Sequence, residues 1–118
     1  MPCLKIVTNV AKSKIPADFL SKIIPVLSEG VRKAPELFLC SIEGDCQLSI
    51  NGNTQLPAAI ASLESIGNLG PQDNQRIAKL LSSFIEKEIG VVPDRFFLTF
   101  YDLKDYNVAK NGVTIASM

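Results

Sequence analysis

The chemistry this chain can offer starts at its second residue. The sequence opens Met1-Pro2-Cys3-Leu4-Lys5-Ile6-Val7. A small residue at position 2 lets the initiator methionine be trimmed, which leaves Pro2 with a free secondary amine. The chain contains no histidine, so general base chemistry near neutral pH needs another group. An α-amino group already titrates at about 7.7–8.0. Burial and a neighbouring cation lower it further, because both disfavour the ammonium form. Pro2 is thus a candidate general base, with its ring fixing the direction of the lone pair. The alternative is structural: a proline at the start of an edge strand, where a missing N–H does no harm. On Pro2 alone, the structural role carries more weight.

The other reactive side chains are Cys3, Cys40 and Cys46. They are odd in number and form no Cys-x-x-Cys pair. Without histidine, a zinc site would need three thiolates and a carboxylate, at spacings that match no ligand pattern. They read as small buried apolar residues, with Cys46, beside Gly44-Asp45 in a turn, the one expected at the surface. A nucleophilic thiolate is not expected without a histidine to generate it. Neither a metal nor a cofactor is expected.

The elements that must position Pro2 belong to one domain over residues 1–118, long enough to bury a core. Twelve Lys and Arg balance twelve Asp and Glu, so no net field draws in nucleic acid or an anionic membrane. No apolar run approaches the ~20 residues of a membrane span. The N-terminus lacks the charged and apolar regions of a secretory signal. Cytoplasmic synthesis is the expectation, with any secretion following a route that uses no signal peptide.

Two similar halves are legible. Leu4 to Thr8 alternates and is rich in β-branched residues, the pattern of a strand. Pro16 suits a helix N1 position with Asp18 in the first turn, where the macrodipole favours an anion. Phe19, Leu20, Ile23, Ile24, Leu27 and Val31 follow at helical spacing, interrupted by Pro25, which removes a hydrogen bond and kinks the helix. Leu37 to Ile42 reads as the next strand. The second half repeats the plan with a strand over Ala58 to Ile66. A helix then opens at Gly70-Pro71 and shows Ile77, Leu80, Leu81, Phe84, Ile85 and Ile89 on one face until Gly90. Phe96 to Tyr101 is apolar on both faces, as in a central strand covered on both sides. Asn111-Gly112 between apolar residues signals a hairpin in the tail.

These halves define an α+β fold: two βαβ repeats forming a four-stranded mixed sheet, with both helices on one face. The opposite face is left bare, and its residues are not polar enough for a solvated surface. Burial against other subunits is the natural solution; a ligand groove on a monomer is the alternative.

The residues resemble the macrophage migration inhibitory factor and D-dopachrome tautomerase family over essentially the whole chain. The likeness rests on Met1-Pro2, Thr8-Asn9-Val10, Ile15-Pro16 with Phe19-Leu20, and Lys33 near Pro35. It continues through Ser65-Ile66-Gly67, Pro93-Asp94-Arg95, Phe100-Tyr101-Asp102 and Asn107-Val108. The resemblance implies a homotrimer with a tautomerase pocket between neighbouring subunits. Pro2 matches the family's catalytic base. Lys33 matches the lysine that meets the substrate carboxylate and would lower the Pro2 pKa; by itself it is a cation near a helix end, where the dipole suits it. Ser65-Ile66 matches the segment whose backbone amide contacts substrate. Phe97 and Thr99 stand where the inhibitory-factor branch has a tyrosine and an asparagine facing the substrate. Ala58-Ala59-Ile60-Ala61 replaces that branch's Cys-x-x-Cys, and Lys110 replaces a tryptophan. Those changes lean toward the D-dopachrome branch, although Leu37 stands where that branch often has arginine.

Three readings of function come out of this. The resemblance implies a keto–enol tautomerase acting on a small aromatic 2-keto or quinoid carboxylic acid such as phenylpyruvate or dopachrome. Pro2 is then its base, Phe97 and Ile115 keep the site apolar, and D-dopachrome can lose its carboxylate as carbon dioxide. It also implies a cytokine-like secreted role, so the second reading is a catalytically weak protein that binds a cell-surface receptor. Without the resemblance, the third is a two-βαβ ligand-sensing domain that needs no N-terminal amine.

Overall fold

The computed structural model covers residues 1–118. Its elements in chain order are β1 (Cys3–Thr8), α1 (Phe19–Val31), β2 (Leu39–Glu43), β3 (Ala59–Ser65), α2 (Pro71–Ile89) and β4 (Phe96–Asp102). The short strands β5 (Ala109–Lys110) and β6 (Val113–Thr114) follow in the tail. The main sheet runs β2-β1-β3-β4. Each βαβ repeat contributes one parallel pair, β1 with β2 and β3 with β4, and the repeats join through antiparallel β1 and β3. The α+β fold with two helices on one face of a mixed four-stranded sheet is therefore the fold expected from the pattern.

Alternation decides which face is buried. Along β1, Leu4, Ile6 and Thr8 turn inward; along β3, Ala59, Ala61, Leu63 and Ser65 do the same. Each helix answers with one row at four-residue spacing: Phe19, Ile23, Leu27 and Val31 on α1, and Ile77, Leu81, Ile85 and Ile89 on α2. Burying a side chain of this size contributes about 1.5–3 kcal/mol relative to leaving it in water. A Cβ on Gly30 would lie 3.3 Å from Ile77 Cγ1, so glycine lets the two helices close on each other.

Several local expectations need correction. Pro16 does not occupy the first position of α1. Its carbonyl accepts from Phe19 N at 3.0 Å, so Pro16 to Asp18 form a turn before a helix that starts at Phe19. Pro71 does sit at the start of α2, and Gly90 ends that helix with φ +72°. Leu20, expected on the apolar face, is 40% exposed. Helix α1 continues through Pro25 because Pro25 faces solvent, where water can serve the carbonyl its ring leaves without a donor. Strand β2 begins at Leu39, because Pro35 to Leu37 form a 3-10 turn; Pro93 to Arg95 form its counterpart before β4.

Strand β4 is the main correction. Expected at the centre, it lies at the sheet edge, with Phe97 and Tyr101 59% and 49% exposed on the uncovered face. Apolar residues on both faces signal a second cover, and this chain does not supply one. The uncovered face is also more polar than expected. A row of Ser41, Lys5, Ser62 and Thr99 crosses it, with Leu39, Ile60, Phe97 and Tyr101 exposed around that row. The Asn111-Gly112 hairpin does form, both residues having positive φ, as a two-residue turn of that kind requires.

Candidate active site

Topology brings three segments to one end of the sheet. Because β1 and β3 are antiparallel, Cys3 lies opposite Glu64, so β1 begins where β3 ends. Helix α1 returns to the same end, since Leu39 of β2 also lies opposite Cys3. Pro2, Lys33 and Ile66 meet there. The Pro2 ring is fully buried, and its carbonyl accepts from Leu39 N at 2.9 Å. Lys33 stands two residues beyond α1, with Nζ donating to the Ile66 carbonyl at 2.6 Å. Ile66 thus presents a carbonyl that fixes the lysine, a contact the sequence reading did not contain.

Electrostatics at this end favour a neutral amine. The Met1 amine, one residue before Pro2, is held below its ordinary value of 8.0, first by burial and then by the charge of Lys33. Both causes act on the ammonium: one strips its water, the other repels it. An amine so tuned can accept a proton near neutral pH, and the ammonium beside it can meet a carboxylate.

Ser65 is placed differently from Ile66. Its side chain is fully buried and its hydroxyl donates to the Gly67 carbonyl at 2.8 Å, so it shapes the turn after β3 from within. Gly67, at φ +78°, donates from its N–H to Asp102 Oδ1 at 3.1 Å, and Leu103 N donates to the Ser65 carbonyl at 2.8 Å. The turn is thereby tied to the end of β4.

Phe97 and Thr99 do not join Pro2 within the chain. Phe97 pairs with Ile60 and Thr99 with Ser62, whereas the Pro2 end of the sheet is marked by Glu64 and Tyr101. Phe97 therefore lies about 13 Å along β4 from that end and two strand spacings across, at ~3.3 Å per residue and ~4.8 Å per strand. A cleft of about 670 Å³ lies elsewhere, between Asn9, Cys46, Gln47, Leu48, Ser49, Thr54 and Gln55, and touches neither Pro2 nor Lys33.

The cysteines are all half-buried and unpaired, Cys3 and Cys40 less buried than expected and Cys46 less exposed. Cys40 turns toward the helices with the Leu4 row, and Cys3 toward the uncovered face. Burial, with Cys3 adding to it, pushes the Cys40 thiol up to about 11. The folded chain therefore keeps this proton between the ordinary value of 9.0 and about 11, while the unfolded chain loses it. Its contribution to stability is complete below pH 9 and declines as pH rises through that window. Alkaline denaturation followed by circular dichroism should show this slope, and Cys40→Val should flatten it.

One residue of this end was absent from the sequence reading. The Asn68 amide Nδ2 donates to the Val31 carbonyl at 2.8 Å and to the Arg32 carbonyl at 3.3 Å, at the end of α1. Its partners lie 37 and 36 residues away, beyond the reach of local pattern; the only signal was an asparagine after glycine, a pair that tolerates positive φ.

The fold and its N-terminal site define a class, and the comparisons place the chain within it. The family model for macrophage migration inhibitory factor (MIF) matches residues 1–116. The chain is 33% identical over 116 residues to the macrophage migration inhibitory factor of Xenopus tropicalis, covering 98% of this chain and 100% of the relative. It is 32% identical over the same length to an MIF-like protein of Caenorhabditis elegans, covering 98% and 96%. The structure of the macrophage migration inhibitory factor from Trichinella spiralis superposes with a TM-score of 0.90 at 29% identity, over 95% of this chain and 98% of that one. This chain belongs to the macrophage migration inhibitory factor family. At the coarse level that makes it a tautomerase- and cytokine-like protein, an isomerase by class. No helix is long and apolar enough to cross a membrane.

Proposed function

We propose that the chain is a keto–enol tautomerase in which the Pro2 nitrogen, freed by removal of Met1, is the general base. The observation that carries this reading is the fully buried Pro2 at the sheet end that also holds Lys33, where burial and then the Lys33 charge lower the adjacent Met1 amine below its ordinary value. The substrate is a small aromatic 2-keto or quinoid carboxylic acid, phenylpyruvate or D-dopachrome in kind. The neutral nitrogen takes a proton from the carbon next to the carbonyl. The C–H electron pair moves into the new C=C bond, and the carbonyl pair moves onto oxygen. Delivery of a proton to that oxygen completes the enol. Lys33 holds the substrate carboxylate, and the Ile66 backbone lies alongside. With D-dopachrome the alternative is release of the carboxylate as carbon dioxide, its electron pair entering the quinoid ring. Incubation with D-dopachrome tests the choice: a product that keeps the carboxylate supports tautomerisation, and evolved carbon dioxide supports decarboxylation.

The working form in this reading is a homotrimer whose pocket lies between subunits. Two features support it: β4 is an open edge with exposed apolar side chains, and Phe97 and Thr99 lie far from their own Pro2. An open, partly apolar edge is a template for another strand. A neighbouring copy then brings Phe97 and Thr99 toward Pro2. Sedimentation equilibrium should return three times the mass of the chain; a monomer at micromolar concentration would overturn this arrangement. A cytokine-like role through a cell-surface receptor belongs to the same reading, and receptor binding that persists in a Pro2→Gly variant would separate it from turnover.

A further inference from the structure

Helix α1 ends in an arrangement that its own residues cannot hold. Arg32 closes it in the left-handed region at φ +60°, a conformation uncommon for a residue other than glycine or asparagine. The last carbonyls of any helix lack intrahelical donors. Here the donors come largely from the second repeat: Asn68 serves Val31 and Arg32, and the Arg76 guanidinium serves Gly30. Within the first repeat, Ser28 Oγ donates to the Lys33 carbonyl at 2.7 Å. Lys33 thus leaves a helix end that is held from β3's side of the molecule.

Asn68 belongs to the same turn as Ile66. Residues 66–68 are braced by the Ser65 hydroxyl and the Asp102 carboxylate, both acting on Gly67. From that turn three bonds cross to the first repeat: the Ile66 carbonyl accepts from Lys33 Nζ, and the Asn68 amide donates to the Val31 and Arg32 carbonyls at the end of α1. The tip of Lys33 and the two residues just before it are therefore held against the same braced turn. Asn68 is itself in the left-handed region at φ +61°, where asparagine is among the few side chains tolerated. Its side chain is aimed at α1 by that backbone.

We propose that Asn68 is the positioning residue for Lys33, clamping the C-terminal end of α1 to the turn that carries Ile66 so that the ammonium stays beside the N-terminal amine. This rests on the reading of Lys33 as carboxylate receptor and partner of the Pro2 amine. Asn68 touches no substrate; it acts by limiting where Lys33 can go. Without it, the end of α1 loses its direct bonds to the turn that carries Ile66; the Arg76, Ser28 and Arg32 contacts remain, and the Lys33 tip is then the one link between that turn and the lysine's segment.

The test uses Asn68→Gly, which keeps the left-handed backbone and removes only the amide. The N-terminal amine is titrated by NMR with ¹⁵N-labelled protein, and kcat and KM are measured with phenylpyruvate, in wild type, Asn68→Gly and Lys33→Ala. The expected result is an amine pKa raised in both variants. In Asn68→Gly, which removes both Asn68 amide bonds, KM rises about fivefold as Lys33 loses its fixed position, while kcat at saturating pH stays within about twofold of wild type. If Lys33→Ala shifts the amine and Asn68→Gly leaves both amine and KM unchanged, the clamp is refuted and the Lys33 reading stands. If Lys33→Ala moves neither, the Lys33 reading fails and the clamp with it. Should wild type show no turnover, the amine titration alone decides the clamp.

Discussion

Replacing Pro2 by glycine is expected to lower kcat/KM for phenylpyruvate by about 10²-fold or more while leaving fold and assembly intact. General base catalysis contributes on the order of 10²–10⁴-fold, and the substitution removes what makes this amine a directed base. Glycine keeps a terminal nitrogen and keeps the carbonyl that accepts from Leu39 N, so the pairing of β1 with β2 persists. It removes the ring, which is fully buried and fixes the direction of the lone pair. Steady-state kinetics beside circular dichroism separates the two effects. The pH profile carries the same argument with a definite sign. The base works when neutral, so activity rises with pH through the amine's pKa. In the untrimmed chain, burial and Lys33 lower the pKa of the Met1 amine. A freed Pro2 amine one residue further in meets the same two influences, so its rising limb is expected at lower pH than for an exposed, unpaired amine of the same kind. Lys33→Ala removes the repelling cation and should move the limb to higher pH, with a higher KM for a carboxylate substrate.

The largest loss of stability is expected from Arg95→Met. Arg95 is 5% exposed, and its guanidinium donates to four backbone carbonyls, those of Ile50, Asn53, Leu56 and Pro57, at 2.7–3.1 Å. None of the ion pairs in the chain includes it. Its charge is met by peptide dipoles in the connection between β2 and β3, while its backbone leads straight into β4. Methionine fills similar space but offers no donor, so four hydrogen bonds are lost at once; the Pro57 carbonyl is left without a donor, while those of Ile50, Asn53 and Leu56 keep Asn53 N, Ile50 N and Asn9 Nδ2. A cost of about 3–5 kcal/mol follows from the lost charged hydrogen bonds and the one carbonyl left unsatisfied, a large share of the roughly 5–15 kcal/mol that holds a domain together. Thermal unfolding should fall by about 10–20 °C. Arg95→Lys tests the geometry: one ammonium cannot span the four carbonyls, so charge alone should recover only part of the loss. Full recovery in the lysine variant would mean that charge, not the fork of donors, holds the segment.

Much of this fold could be read from residue spacing because its physics is local. The four-residue rows on α1 and α2, the alternation in β1 and β3, and the recurring Pro before each second strand all act within one element. What could not be read depends on neighbours. Phe96 to Tyr101 is apolar on both faces whether its second cover comes from this chain or from another copy, so periodicity could not assign β4 to the edge. Pro16 is compatible both with the first position of a helix and with the turn before it, and the three-residue difference at Phe19 reflects that tolerance. At the site, the absence of histidine drew attention to Pro2. Lys33 stood out only through the family resemblance. Ser65 and Asn68 owe their positions to hydrogen bonds that a linear reading cannot contain; the clamp in particular joins residues 37 apart.

The central claim is that a free Pro2 nitrogen is the base, and the presence or absence of Met1 tests it most directly. Phenylpyruvate turnover should be measured on two preparations with intact masses verified: one beginning at Pro2, the other retaining Met1 so that the Pro2 nitrogen is an amide. The predicted result is turnover by the first and at least a 10²-fold lower rate for the second, with both giving the same oligomer. Equal turnover by the Met1-retaining protein would contradict the account and remove Pro2 from the chemistry.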